Sequence, residues 1–195
     1  FNKSFLINGS GIDLEFFNNK NKNFLKSDFI FLCISRINPD KGILEFVKSA
    51  ELIKKEFPNI KFKLLGSFEN IFKNSRNLLT IQKLIKEKVV EHISFTEDVR
   101  PYLEISDCLV LLSYREGTSR ALLEGAALSK PLIATNVPGC NNVVINNYNG
   151  FLCESNNFIN AYEVMKKMLN LSIEERTIMG KNSRKLVEAN FEINK

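Results

Sequence analysis

The stretch Phe29-Ile-Phe-Leu-Cys-Ile-Ser35, then Arg36-Ile-Asn-Pro-Asp-Lys-Gly42, then a helical phrase running to Phe57, decides the fold. The first seven residues are a continuous apolar run of buried-strand length. Behind a capping Asp40, a helix is predicted from about Lys41, with Ile43, Val47, Ala50 and Ile53 at helical spacing and Pro58 as its stop. A strand apolar on both faces that feeds a helix opens a parallel sheet covered on both sides. The alternation continues outward. Strands are predicted at Lys61–Gly66, His92–Phe95, Asp107–Ser113, Pro131–Ala134 and Gly150–Cys153. Between them lie helices at Asn77–Val90, from Pro101 to near Ser106 and at Ser119–Ser129, with a short helical turn after Gly139. Phe158, Tyr162, Met165 and Leu169 give one more helix face, and Ser172 with Glu175 forms a capping box that opens a last helix. The expected fold class is α/β, a doubly wound parallel sheet.

Composition agrees with a globular domain. Of 195 residues, 44% are hydrophobic and 25% charged, which excludes disorder and collagen-like repeats. A chain of this size buries roughly 70% of its unfolded surface, so its core needs no staples. No run approaches the roughly 20 apolar residues that span a bilayer. Residues 1–26 read as a polar, Asn-rich lead-in and 27–195 as the domain proper. The chain opens at Phe1, in mid-phrase, which predicts a longer parent protein.

Lys plus Arg exceed Asp plus Glu by 27 − 22 = +5, a mild excess dispersed along helix-like segments. That distribution argues against nucleic acid as a partner and suits a weak attraction to anionic headgroups. Cys33, Cys108, Cys140 and Cys153 include no C-x-x-C pair, and His92 is the single histidine, so neither zinc spacing nor a thiol-histidine nucleophile is expected. Buried reduced thiols point to a cytoplasmic location.

In a doubly wound sheet, ligands bind beyond the carboxyl ends of the strands. Three such loops carry chemistry. The first places Arg36 and Lys41 between a strand end and a helix start, a setting for phosphate oxygens that also suits two solvated surface cations. The second is Tyr114-Arg-Glu-Gly-Thr-Ser119, which runs into Ala121-Leu-Leu-Glu-Gly125. Here Glu116 and Glu124 stand eight apart, Gly117 allows close backbone approach, and the amides near Thr118 and Ser119 open a helix. Glu124 also fits an i,i+4 ion pair with Arg120. The third loop, Asn136 to Asn142, contains the turn Pro138-Gly139.

Four phrases in order, R-x-x-x-x-K-G at Arg36–Gly42, E-x(7)-E at Glu116–Glu124, Pro138-Gly139 and Tyr148-Asn-Gly-Phe-Leu152, resemble the family-4 glycosyltransferases. The opening Ile7-Asn-Gly-Ser-Gly-Ile-Asp13 is similar to the linker that starts their C-terminal half, most like bacterial enzymes of lipid-linked and surface polysaccharide synthesis. The resemblance covers nearly all of residues 5–190. It implies a GT-B enzyme of two Rossmann-like halves, of which this chain is the C-terminal, donor-nucleotide half. The N-terminal acceptor half would lie outside the chain.

The resemblance further implies that Arg36 and Lys41 hold the donor diphosphate and stabilise its charge as the nucleotide leaves. Glu116 would bond hydroxyls of the transferred hexose or N-acetylhexosamine, and Glu124 the ribose. Gly117, Thr118 and Ser119 would lie near the phosphates and Gly66 in the same donor-nucleotide site, where Phe68 would either flank the base or simply pack. The anomeric configuration would be retained, with no metal and no cofactor beyond the nucleotide-sugar (UDP-linked) substrate. The acceptor would be a glycan or lipid-linked precursor, which would place the whole protein peripherally at the inner face of the cytoplasmic membrane. This half alone would bind nucleotide without catalysing transfer.

The chain departs from the family at Gly117-Thr-Ser119, where Gly-Phe-Gly or Gly-Phe-Pro is common, and at Gly66-Ser-Phe68, where Gly-x-Gly is common. Two other readings fit the pattern less well. A flavodoxin-like regulatory module needs acids after the first strand, where Ser35-Arg36 stands, and a nucleotide-sugar epimerase places its carboxylates differently.

Overall fold

The computed structural model describes residues 11–18, 28–69 and 76–193. Its six strands are β1 (Ile30–Ile34), β2 (Lys61–Leu65), β3 (Glu91–Ile93), β4 (Cys108–Leu111), β5 (Leu132–Thr135) and β6 (Gly150–Cys153). The helices are α1 (Ile43–Glu56), α2 (Arg76–Lys86), α3 (Arg100–Ile105), α4 (Arg120–Ala127), α5 (Phe158–Asn170) and α6 (Ile173–Asn190). All strand pairs are parallel, in the order β3-β2-β1-β4-β5-β6. This is the Rossmann-like doubly wound sheet that the alternating pattern predicts.

The continuous apolar strands serve two cores at once. Phe31, Cys33, Phe62, Leu64 and Val110 face one layer, into which α1, α2 and α5 lower Phe46, Ile81 and Met165. Leu32, Leu65, Leu109 and Leu132 face the other, against Leu122 and Leu123 of α4 and Val187 of α6. All four cysteines are buried and unbonded to one another. The capping box at Ser172 and Glu175 is present as predicted.

Two local expectations are corrected. Asp40 does not cap the first helix: Asn38 accepts the Asp40 amide and opens a 3-10 turn, Pro39–Lys41. Gly42 then takes φ 63°, and α1 starts only at Ile43. A left-handed residue cannot belong to the helix, and a Cβ at Gly42 would overlap the backbone of Leu112. The second helix ends at Lys86, four residues early, because Lys88 is itself left-handed. The short helical turn expected after Gly139 is present: residues 138–143 form successive turns, and the Val144 amide donates to the Cys140 carbonyl at 2.9 Å.

Part of the lead-in belongs to the core. Ile12, Leu14 and Phe17 are buried in the α4–α6 layer, and Ile12 pairs with Glu192 beside the end of α6. Arg100 seals this contact, with its guanidinium 3.8 Å from the Phe16 ring centre. The linker-like phrase from Ile7 to Ser10 lies outside the described residues.

Candidate functional site

Strands β1 and β4 are neighbours, yet β1 feeds α1 on one face and β4 feeds α4 on the other. Their carboxyl ends therefore diverge and leave a crevice, the topological switch point. The two loops are knitted together across it. The Asp40 carbonyl accepts the Tyr114 amide at 2.7 Å, and the close approach at Gly42 draws the end of β4 against the start of α1.

This brings Lys41 to Glu116. Lys41 Nζ lies 2.5 Å from Glu116 Oε1, with the two side chains only 16% and 14% exposed. Ser113 Oγ donates to the same carboxylate oxygen at 2.9 Å. Ser113 is held in turn by Thr135, whose hydroxyl donates to the Ser113 carbonyl. Cys140 lies nearby. Its thiol is pushed up to about 11, chiefly by burial, with the Thr135 hydrogen bond opposing; Glu116 raises it further and Lys41 lowers it.

Gly139 explains how the third loop supports the second. It sits at φ 84°, and a Cβ there would overlap the carbonyls of Glu116 and Gly117. Gly117 differs, because a Cβ at Gly117 would meet nothing within 4 Å. The fold does not require a glycine at that position.

Ser119 caps α4, its hydroxyl accepting the Leu122 amide at 3.4 Å. Thr118 lines a small hollow of about 210 Å³ with Asn142, Asn190 and Phe191. One turn into α4, Glu124 is buried at 7% exposure. Of the two sequence alternatives for Glu124, the ion pair with Arg120 is present, at 2.9 Å, but Arg120 is 77% exposed while the acid is not. Burial raises the Glu124 carboxyl above its ordinary value, and Arg120 opposes the shift.

Arg36 takes a different partner from Lys41. Its Nη1 is 2.5 Å from Glu69 Oε1, and the Arg36 side chain is 70% exposed. Asn38 Nδ2 donates to the other Glu69 oxygen at 2.9 Å. Next to Glu69, Phe68 packs edge-on to His92 with ring centres 5.1 Å apart and stays 38% exposed. Gly66 follows β2 directly, with its carbonyl 2.8 Å from His92 Nε2. Arg36, Gly66 and Phe68 thus gather on the β1–β2 side of the crevice, and Lys41, Glu116 and Gly117 on the β4 side.

Ser113, Asn38 and Glu69 escaped the sequence reading. Ser113 carries no motif signal, and Glu69 is 33 residues from the arginine it binds. Glu45 and Tyr114 form another unanticipated contact: Glu45 is 5% exposed with Oε2 unpartnered, and burial, then the Glu45 hydrogen bond, raises the Tyr114 phenol. Among the described residues, no group of three or more His, Cys, Asp or Glu is placed to hold a metal ion. No helix among them is long and apolar enough to cross a membrane.

Residues 15–186 match the family of glycosyl transferases group 1. The chain is 32% identical over 167 residues to the capsular polysaccharide biosynthesis glycosyltransferase CapM of Staphylococcus aureus, covering 86% of this chain and 43% of that protein. It is also 32% identical over 200 residues to the Escherichia coli UDP-Gal:alpha-D-GlcNAc-diphosphoundecaprenol alpha-1,3-galactosyltransferase, covering 94% and 49%. The chain thus spans about half the length of the curated relatives it matches. Among solved structures, the C-terminal domain of the glycosyl transferase group 1 family protein LpcC from Francisella tularensis superposes with a TM-score of 0.81 at 20% identity, covering 94% of this chain and 100% of that one. With its parallel six-stranded sheet and a match across most of its length, the chain belongs to the glycosyl transferases group 1 family.

Proposed function

We infer that this chain is the donor-nucleotide half of a retaining glycosyltransferase that moves a hexose or N-acetylhexosamine from a UDP-sugar to a lipid-linked or polysaccharide acceptor. The observation that carries the assignment is the Lys41–Glu116–Ser113 cluster at the switch point, where a doubly wound sheet takes its ligand. Beside it, Gly117 faces open space, so the backbone there is free to approach a ligand. The E. coli relative's name supplies a UDP-linked donor and a diphosphoundecaprenol acceptor.

In this proposal Lys41 and Arg36 bind the diphosphate and offset the charge that grows as the glycosidic C–O bond breaks. Glu116 accepts hydrogen bonds from hydroxyls of the transferred sugar, and Glu124 from the ribose. The Gly117–Ser119 backbone faces the phosphates, while Gly66 and Phe68 flank the base. The reaction uses no metal. A second half of the parent protein supplies the acceptor site, and that protein works peripherally at the inner face of the cytoplasmic membrane.

Titration of this chain with UDP, GDP and ADP by calorimetry, beside Glu124→Ala, tests the assignment. UDP is expected to bind selectively, and the variant to lose about tenfold in affinity. Equal affinity for all three nucleotides, or no effect of the substitution, would overturn it.

A further inference from the structure

The Lys41–Glu116 pair raises a conflict. Lys41 is the group assigned to phosphate and Glu116 the group assigned to sugar hydroxyls, yet each is the other's partner at 2.5 Å. Neither can keep that bond and also give its full hydrogen-bonding capacity to a ligand. We propose that Glu116 is an internal competitor for Lys41 that makes the site favour a nucleoside-diphosphate sugar over the bare nucleoside diphosphate. The inference rests on the donor-site assignment above.

A bare diphosphate that takes the Lys41 ammonium leaves Glu116 with the Ser113 hydroxyl, in a pocket where its side chain is 14% exposed. The stranded carboxylate then faces a second anion in a setting less polar than water, where like charges repel strongly. A diphosphate that carries a sugar brings hydroxyl donors with it, and these replace the lysine at the carboxylate. Binding the intact donor therefore exchanges one satisfied pair for two satisfied contacts. The bare nucleotide exchanges it for one contact and one loss, and so departs readily once the sugar has been transferred.

The second cation shows why the effect belongs to Glu116. When a phosphate draws Arg36 away, Glu69 keeps the Asn38 amide, and it stands 29% exposed, where water solvates it. Ser113 donates to Oε1, the same Glu116 oxygen that Lys41 holds, so it keeps the carboxylate in place when the lysine leaves. Ser113 is thus a positioning residue for the exchange.

Calorimetric titration of this chain with UDP and with UDP-hexose, in the native sequence and in Glu116→Gln and Ser113→Ala, tests the inference. The neutral amide keeps the side-chain shape but no longer competes as a charge. Glu116→Gln is expected to bind UDP about tenfold more tightly than the native chain, and its preference for UDP-hexose over UDP is expected to fall about tenfold or more. Ser113→Ala takes the last donor from the stranded carboxylate and is expected to weaken UDP binding several-fold, with UDP-hexose binding changed less. Unchanged or weaker UDP binding by a folded Glu116→Gln chain overturns the competition while the donor site stands. Failure of the native chain to bind any nucleotide overturns the donor site and the competition together.

Discussion

The two ion pairs built on the loop after β1 differ in one respect that governs the rest. Lys41 and Glu116 are nearly enclosed, whereas Arg36 is 70% exposed beside Glu69. Burial makes the first pair costly to break, because removing one partner strands a poorly hydrated charge. Exposure makes the second pair nearly neutral for stability, because water and salt replace either partner. Two cations drawn from one seven-residue stretch therefore serve different ends. The enclosed pair holds the crevice together, and the exposed one is free to follow a ligand.

The sharpest way to break this contrast is Lys41→Ala. It is expected to lower unfolding stability by about 2–4 kcal/mol in denaturant titrations and to weaken UDP binding more than tenfold. A smaller loss would mean that Glu116 is solvated after all. Gly139→Ala probes the backing of the enclosed pair. The positive φ and the overlap with the Glu116 and Gly117 carbonyls are expected to cost about 2 kcal/mol, read from the same titration.

The Arg120–Glu124 pair lies between the two cases, with a buried acid and an exposed cation. Because burial raises the Glu124 carboxyl, the folded state holds that proton more tightly than the unfolded chain does. Its stabilising effect is thus complete below the ordinary glutamate value of 4.5 and is lost as pH rises through the raised one. Glu124→Gln is accordingly expected to raise the melting temperature at pH 7 slightly, with the gain vanishing as pH falls below 4.5. The same variant is expected to bind UDP about tenfold more weakly, while a 2′,3′-dideoxy analogue shows no such loss. The smallest effect on stability belongs to Arg36→Ala, within about 0.5 kcal/mol, with UDP affinity reduced about fivefold. A large destabilisation there would erase the difference between the regions.

Much of the fold is legible in the sequence itself. Apolar strands of five or so residues, split by helices with Ile43, Val47, Ala50 and Ile53 on one stripe, leave few arrangements other than a parallel sheet. What differs is local: Asp40 is a residue type that caps helices, but the left-handed Gly42 stands at the start of α1 without a side-chain cap, and Asn38 caps the 3-10 turn before it. The lead-in differs similarly, since three apolar residues among many asparagines suffice to anchor it once α4 and α6 offer a surface.

The candidate site divides along the same line. Sequence alone determined which loops carry charge, because motif spacing is a property of neighbours in the chain. Arg36, Lys41, Glu116 and Glu124 all stand out from that spacing. Only the tertiary structure decided which carboxylate each cation takes, for Glu69 is 33 and Glu116 75 residues away from its partner. It likewise decided that Ser113 shares an oxygen with Lys41 and that Glu124 is buried while Arg120 is not. Partner choice and burial arise from how strands adjacent in space, but distant in sequence, end side by side, and hydrophobic periodicity along the chain carries no record of that.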